Sequence, residues 1–261
     1  MITAPFDFAQ FLSALPWLLG AATVTWAVSL PLRNVSIVDV LWSLLLFWAG
    51  VIYWLGSDPR GPRLSYVIWL LLLWAARLSL YIAARNHGKG EDRRYQEIRA
   101  RNQPGFAWKS LYLVFWLQAL LAWVVTLPLL GAFASIRPIN WLDYAGAALW
   151  TVGFVFEAGG DWQLARFKRD PANAGRVMDR GFWRFTRHPN YFGEFCIWWG
   201  FYCIALAAGA WWALPGPLLI SVLLLRVSGV TLLEKDIGKR RPQYADYVLK
   251  TNAFFPAPPR K

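Results

Sequence analysis

The sequence predicts an all-α integral membrane protein with seven transmembrane helices, its N-terminus outside and its C-terminus cytosolic. Three observations predict it. Apolar residues fill 57% of the 261 positions, above the roughly 45 to 50% of an ordinary soluble domain. The excess is gathered into seven blocks, each near the roughly 20 helical residues that cross a hydrocarbon core. The basic residues, finally, collect on one side of those blocks.

The blocks run at about 11–31, 36–56, 64–84, 110–130, 141–160, 191–210 and 211–228. No Lys or Arg precedes the first and no small-residue cleavage pattern follows it, so it reads as a span and not as a signal peptide. The fourth carries no charge. A turn near Gly209 separates the sixth from the seventh, and Pro215 with Pro217 predicts a kinked seventh helix whose freed carbonyls find partners among its neighbours. The whole chain, 1–261, reads as one domain.

Counting Lys and Arg in the connections sets the orientation. With the N-terminus outside, the inner connections hold 22 of the 27 basic residues and the outer ones only Arg60, Arg63 and Arg137; Arg77 and Arg226 lie within helices. The net charge of +12 is therefore mostly a positive-inside signal, with anionic headgroups as its default partner and no nucleic acid implied. Cys196 and Cys203 are seven apart on one helix, about 10 Å by the helical rise, too far for a disulfide. With His87 and His188 the only imidazoles, no metal-ligand spacing exists. A lone Gly88-x-Gly90 after a membrane helix is no dinucleotide fingerprint.

Six ionisable residues fall inside or at the ends of the blocks: Asp39, Arg77, Glu157, Asp161, Glu194 and Arg226. All are in the cytosolic half. A charge at the bilayer centre costs at least a few kcal/mol, so their common depth predicts a shared polar cavity open to the cytosol beneath an apolar, sealed outer half. Residues four apart share a helix face, which pairs Glu157 with Asp161, Asn190 with Glu194, and Arg77 with Tyr81. The plainer alternative is that Arg77 and Arg226 merely neutralise Asp39, Glu157 or Glu194. Two inner connections, RNHGKGEDRRYQEIRAR from Arg85 and DWQLARFKRDPANAGRVMDRGFWRFTRHPNY from Asp161, interleave Tyr95, Asn173, Trp183 and Tyr191 with the basic residues. That composition suits a polar, aromatic, anionic ligand, since Arg forks fit phosphate.

The run RHPNYFGE, with Asp161 upstream and the ending LLEKDIGKRRPQYADYVLKTNAFFP, resembles the steroid 5α-reductase family in its bacterial DUF1295-type branch. Sterol Δ14-reductases share the HPNY core as more distant relatives. The resemblance implies a seven-helix reductase that uses NADPH to transfer hydride to the double bond of an enone, such as a 3-oxo-Δ4-steroid. It further implies a bacterial inner-membrane location with the cofactor site facing the cytosol. Asn190 and Glu194 match the family's cofactor-contacting Asn and Glu, and Tyr191 the aromatic between them. Asp161 matches an acid on helix five, Lys168 and Lys89 fall at or near phosphate-contacting positions, and Glu234 aligns with an acid of the terminal segment. Arg166, Arg187 and His188 complete the expected cofactor residues.

The chain departs from the family where the substrate carbonyl would lie. Family reductases place a Gln–Glu pair on helix two and a Tyr on helix three; here helix two reads IVDVLWS with Asp39, and the nearest Tyr on helix three is Tyr81. Hydride addition to an enone pushes charge onto the carbonyl oxygen, and one donor there is worth about 3 to 4 kcal/mol. Asp39, kept protonated by an apolar site, and Tyr81 are the expected catalytic residues, with Trp42, Trp48 and Trp74 lining an apolar slot. A second class shares an RHPxYxG-type motif, the S-adenosylmethionine-dependent isoprenylcysteine and phospholipid methyltransferases. The Asn and Glu around Tyr191 and the abundant basic groups favour the reductase.

Overall fold

The computed structural model describes residues 4–227 and 243–260, and every regular element among them is helical. Helix α1 (Phe8–Leu32) starts where the Asp7 side chain accepts from the Gln10 N–H, satisfying a donor that the first turn leaves open. A 3₁₀ turn at Val35–Ile37 leads into α2 (Val38–Leu55), and α3 (Arg63–Asn86) follows. A short helix, α4 (Arg93–Arg101), occupies the next connection.

The fourth apolar block is built in pieces: α5 (Phe106–Ser110), a π-helical stretch at Leu111–Trp116, α6 (Leu117–Val125) and α7 (Leu127–Phe133). Four segments, Phe8–Leu32, Val35–Leu55, Arg63–Asn86 and Phe106–Phe133, are long and apolar enough to cross a membrane. Trp17, Trp69 and Leu80 on them are each more than 60% exposed, an outward apolar surface of the kind lipid covers.

The fifth block opens a longer helix, α8 (Trp141–Arg169). Its 29 residues extend roughly 43 Å at 1.5 Å each, so Asp161, Arg166 and Lys168, expected at a helix end or in a connection, lie within the helix. The sixth block is α9 (Pro189–Ala207), and Gly209 makes the turn after it at φ 90°. The seventh block differs from expectation. A 3₁₀ turn at Trp211–Ala213 precedes α10 (Pro215–Val222), which passes into a π-helical stretch at Leu223–Val227. Pro215 is thus the first helical residue, where a missing N–H costs nothing, and the chain breaks before its prolines instead of kinking at them. Helix α11 (Tyr244–Lys250) ends the regular structure.

The chain forms two compact units: Met1–Asn140 with Ala205–Gly216, and Trp141–Ile204 with Pro217–Lys261. In the first, α2 and α3 are stitched by Ser43 and Ser79, whose hydroxyls lie 2.6 Å apart. Phe11 stacks on Trp123 at 4.0 Å, and the Trp123 indole donates to the Phe11 carbonyl. Arg63, expected in a solvated loop, is fully buried and donates to the carbonyls of Arg137 (2.8 Å) and Pro138 (3.1 Å). It ties the start of α3 to the segment after α7.

In the second unit α8 and α9 approach through glycines. A methyl group on Gly200 would lie 2.7 Å from the Gly146 carbonyl oxygen, and one on Gly193 would lie 2.5 Å from the Gly153 oxygen and the Glu157 nitrogen. Overpacking of this kind costs about 1 to 3 kcal/mol. Gly200→Ala and Gly193→Ala are therefore expected to lower the thermal midpoint in detergent by several degrees. Gly20→Ala on α1, where nothing lies within 4 Å of the new methyl, is expected to leave it unchanged; equal behaviour of all three variants would contradict the close helix contact.

Candidate functional site

The first unit carries a polar network around Asp39, in the first turn of α2. Arg94 Nη2 donates to Asp39 Oδ2 at 2.7 Å, and the Tyr95 hydroxyl donates to Oδ1 at 2.5 Å. Gln118 Nε2, from α6, donates to the Tyr95 oxygen at 3.2 Å. Burial, and after it the Asp39 carboxylate, push the Tyr95 phenol well above the ordinary tyrosine range, so it remains a donor at neutral pH. Burial works against the Arg94 charge, but Asp39 and Asp92 more than offset it and hold the guanidinium above its ordinary value. Gln118 Oε1 is buried without a hydrogen-bond partner among the described residues.

This geometry changes the expected role of Asp39. Both its oxygens accept hydrogen bonds, so it is the acceptor of an ion pair and not a protonated donor. Its partner is Arg94, not Arg77 or Arg226. Arg94 and Gln118 are absent from the residues the sequence singles out, whereas Tyr95 is expected only as lining. Tyr81 sits against two guanidiniums, with Arg77 5.5 Å and Arg85 5.9 Å from its ring centre. Lys89 is exposed on the turn after α3. The three-tryptophan slot is not assembled, since Trp74 is fully buried in the core while Trp48 is 49% exposed.

The second unit gathers most of the expected cofactor residues. Glu157 and Asp161, one turn apart on α8, are 2% and 4% exposed, and Asn190 Nδ2 reaches Asp161 Oδ1 at 3.3 Å. His188 is buried and its ring lies parallel to that of Tyr191, centres 5.5 Å apart. Glu194 follows Asn190 by one turn of α9 and is half-buried. The preceding 3₁₀ turn is fastened to α8, because the Trp183 indole donates to the Gly160 carbonyl at 2.9 Å and the Phe182 N–H to Gln163 Oε1 at 3.0 Å.

Arg187 does other work than expected. It is buried, and its Nη1 donates to the carbonyls of Thr251 (2.6 Å) and Val248 (3.3 Å), capping the end of α11. Its backbone N–H donates to Asn252, and the Thr186 hydroxyl to Phe254. The terminal segment thereby braces the motif from one side. Along the end of α8, Trp162, Arg166, Arg169, Asp170, Asn173 and Arg180 line an open cavity of about 510 Å³. The Arg166 guanidinium lies over the Trp162 ring at 5.6 Å, and Lys168 is exposed beside it. Glu234 lies outside the described residues.

The profile of a family described as "Protein of unknown function (DUF1295)" matches residues 25–251 of this chain. An uncharacterized protein of Schizosaccharomyces pombe is 27% identical over 300 residues, covering 98% of this chain and 84% of its own. No solved structure matches.

Removal of one partner from the Asp39 network leaves a part-buried charge under-satisfied, which costs about 1 to 3 kcal/mol. Arg94→Gln and Asp39→Asn are each expected to lower unfolding stability in detergent by that order, and the double variant to lose less than the sum. Strictly additive losses would show that the pair does not couple α4 to α2.

Proposed function

The chain belongs to the DUF1295 family, and from that premise we propose that it is an NADPH-dependent membrane reductase. Its substrate is an α,β-unsaturated ketone, a 3-oxo-Δ4-steroid or similar lipid enone, reduced at the C=C bond. The observation that carries this reading is the Asn190–Asp161 pair on buried helix faces, in the same unit as a cavity with three arginines in its wall. A dinucleotide needs both kinds of group: acceptors for amide and sugar hydroxyl protons, and guanidinium forks for phosphates. The topology that accompanies the proposal is seven spans with an outside N-terminus, supported by the 22-to-3 division of basic residues, in a bacterial inner membrane with the cofactor side in the cytosol.

NADPH, when bound, supplies the hydride. Asn190, Asp161 and Glu194 would hold its polar groups, the parallel His188 and Tyr191 rings offer a flat apolar face, and Arg166, Lys168, Arg169 and Arg180 would neutralise its phosphates. Reduction of an enone leaves negative charge on the carbonyl oxygen, which needs a hydrogen-bond donor, and Tyr95 is the candidate. The Tyr95 hydroxyl donates to Asp39 Oδ1 at 2.5 Å, and burial keeps it protonated. Turned from Asp39, that hydroxyl would donate a hydrogen bond to the oxyanion, while Arg94 holds the Asp39 carboxylate. Tyr81, which needs no neighbour to donate, is the second candidate.

Mass spectrometry of small molecules co-purified with the detergent-solubilised protein is expected to find NADP; S-adenosylmethionine in its place would sink the reductase reading in favour of a methyltransferase. Asp161→Asn and Asn190→Ala are expected to weaken NADPH binding roughly tenfold, the scale of one hydrogen bond to a charged group, as read by nucleotide fluorescence.

Turnover of a lipid enone separates the two phenols. Tyr95→Phe is expected to lower kcat about 10²- to 10³-fold, the scale of losing one oxyanion donor, with NADPH affinity unchanged. A loss confined to Tyr81→Phe would instead assign the donor to α3.

A further inference from the structure

We propose that a cavity at the end of α1, independent of the reductase reading, binds the phosphodiester of a membrane phospholipid. It encloses about 420 Å³ and is lined by Ser29, Leu30, Arg33, Arg99, Phe106 and Ser110, among others. Two guanidiniums face one space, and the structure treats them differently.

Arg99 is fixed in advance. Its Nε and Nη2 donate to the two oxygens of Glu91 at 2.8 and 2.7 Å, and its guanidinium lies over the Phe106 ring at 4.8 Å. The Glu91 side chain is only 8% exposed and is itself held by the Val35 N–H at 2.8 Å. Arg99 is thus neutralised yet keeps Nη1 unspent among the described residues. Arg33 is exposed and has no side-chain partner among the described residues. The wall therefore carries a net charge of one, which suits a monoanionic diester better than a doubly charged phosphomonoester. The hydroxyl oxygens of Ser29 and Ser110, which donate to carbonyls of their own turns, retain lone pairs for an ordered water or a headgroup hydroxyl.

Position and surroundings favour a lipid over a soluble anion. Leu30 belongs to the last turn of one membrane-crossing segment and Phe106 to the first turn of another, which is headgroup depth. Leu30, Leu32 and Trp108 beside the cavity are 38%, 58% and 70% exposed, giving acyl chains an apolar surface. Trp108 pairs with Trp26 at 5.1 Å between ring centres, and the Trp26 indole donates to the Ala107 carbonyl. Tryptophan at a membrane interface takes this amphipathic position.

The backbone guides the test. Arg33 has φ 48°, and Asn is the side chain that tolerates a left-handed conformation best after Gly. Arg33→Asn therefore removes the charge without disturbing the end of α1. Native mass spectrometry of delipidated protein, titrated with phosphatidylglycerol, with diacylglycerol of the same chains and with inorganic phosphate, reads the result. Expected is one saturable phosphatidylglycerol adduct, weakened roughly tenfold in Arg33→Asn and largely retained in Arg33→Lys, with thermal unfolding unchanged in both. Equal binding of phosphatidylglycerol by the wild type and Arg33→Asn, or equal binding of diacylglycerol and phosphatidylglycerol, would overturn the proposal. Displacement of the lipid by equimolar inorganic phosphate would overturn it in favour of a soluble anion.

Discussion

A carboxylate in the first turn of a membrane-crossing helix is the constraint from which much of the first unit follows. Hydrocarbon offers Asp39 no water, so the charge has to be met from within the protein. Arg94 and Tyr95 meet it, and both come from a connection 55 and 56 residues further along the chain. That connection cannot then be a loose loop. It folds as α4, capped by Asp92, and is fastened again where the Asp92 N–H donates to Ser36 and Glu91 accepts from the Val35 N–H. The same fastening sets Arg99 over Phe106 and so builds one wall of the cavity at the end of α1. One part-buried charge orders the short helix α4, and that helix orders one wall of a cavity.

The second unit solves a different problem by a different device. Its polar residues are carried on α8 and α9 themselves, and two helices bearing Glu157, Asp161 and Asn190 can share a dry interface only if their backbones come close. Gly146, Gly153, Gly193 and Gly200 permit it, as small residues do where no hydrophobic gain drives helices together. Close approach brings Asn190 within reach of Asp161 without a connecting loop. Arg187 then closes the arrangement from the C-terminal side by holding the last carbonyls of α11. The favourable interaction of a cation with a helix C-terminus explains why an arginine, and not a neutral donor, stands there.

Hydropathy and charge counting made four spans legible, because length and apolarity are local properties that each segment carries by itself. The face shared by Glu157 and Asp161 was legible for the same reason, as a four-residue spacing. Partner choice was not. Nothing near Asp39 in the sequence names Arg94 over Arg77, since that decision depends on where α4 comes to rest. Arg187 sits inside the most distinctive motif of the chain, yet its contacts are main-chain carbonyls, which have no sequence signature. The extension of α8 to Arg169 was hidden because charged residues there resemble a loop by composition while remaining good helix formers. Pro215 was misjudged for a positional reason: a proline disrupts the interior of a helix and is at ease at its start.

The ion pair at Asp39 has a physical consequence for the site around it. A carboxyl group stays neutral in a protein interior only where no counter-charge is near, and Arg94 at 2.7 Å removes that condition. The mobile proton of the network therefore resides on the Tyr95 oxygen. Gln118 Nε2 donates to that same oxygen. Its Oε1 is buried and has no hydrogen-bond partner among the described residues, a state that costs about 1 to 3 kcal/mol. The π-helical stretch Leu111–Trp116 lies immediately before α6, which carries Gln118, and such local rewinding recurs at functional sites. The fourth apolar block thus departs from regular α-helix just before the residue whose amide meets the Tyr95 phenol, which in turn meets Asp39.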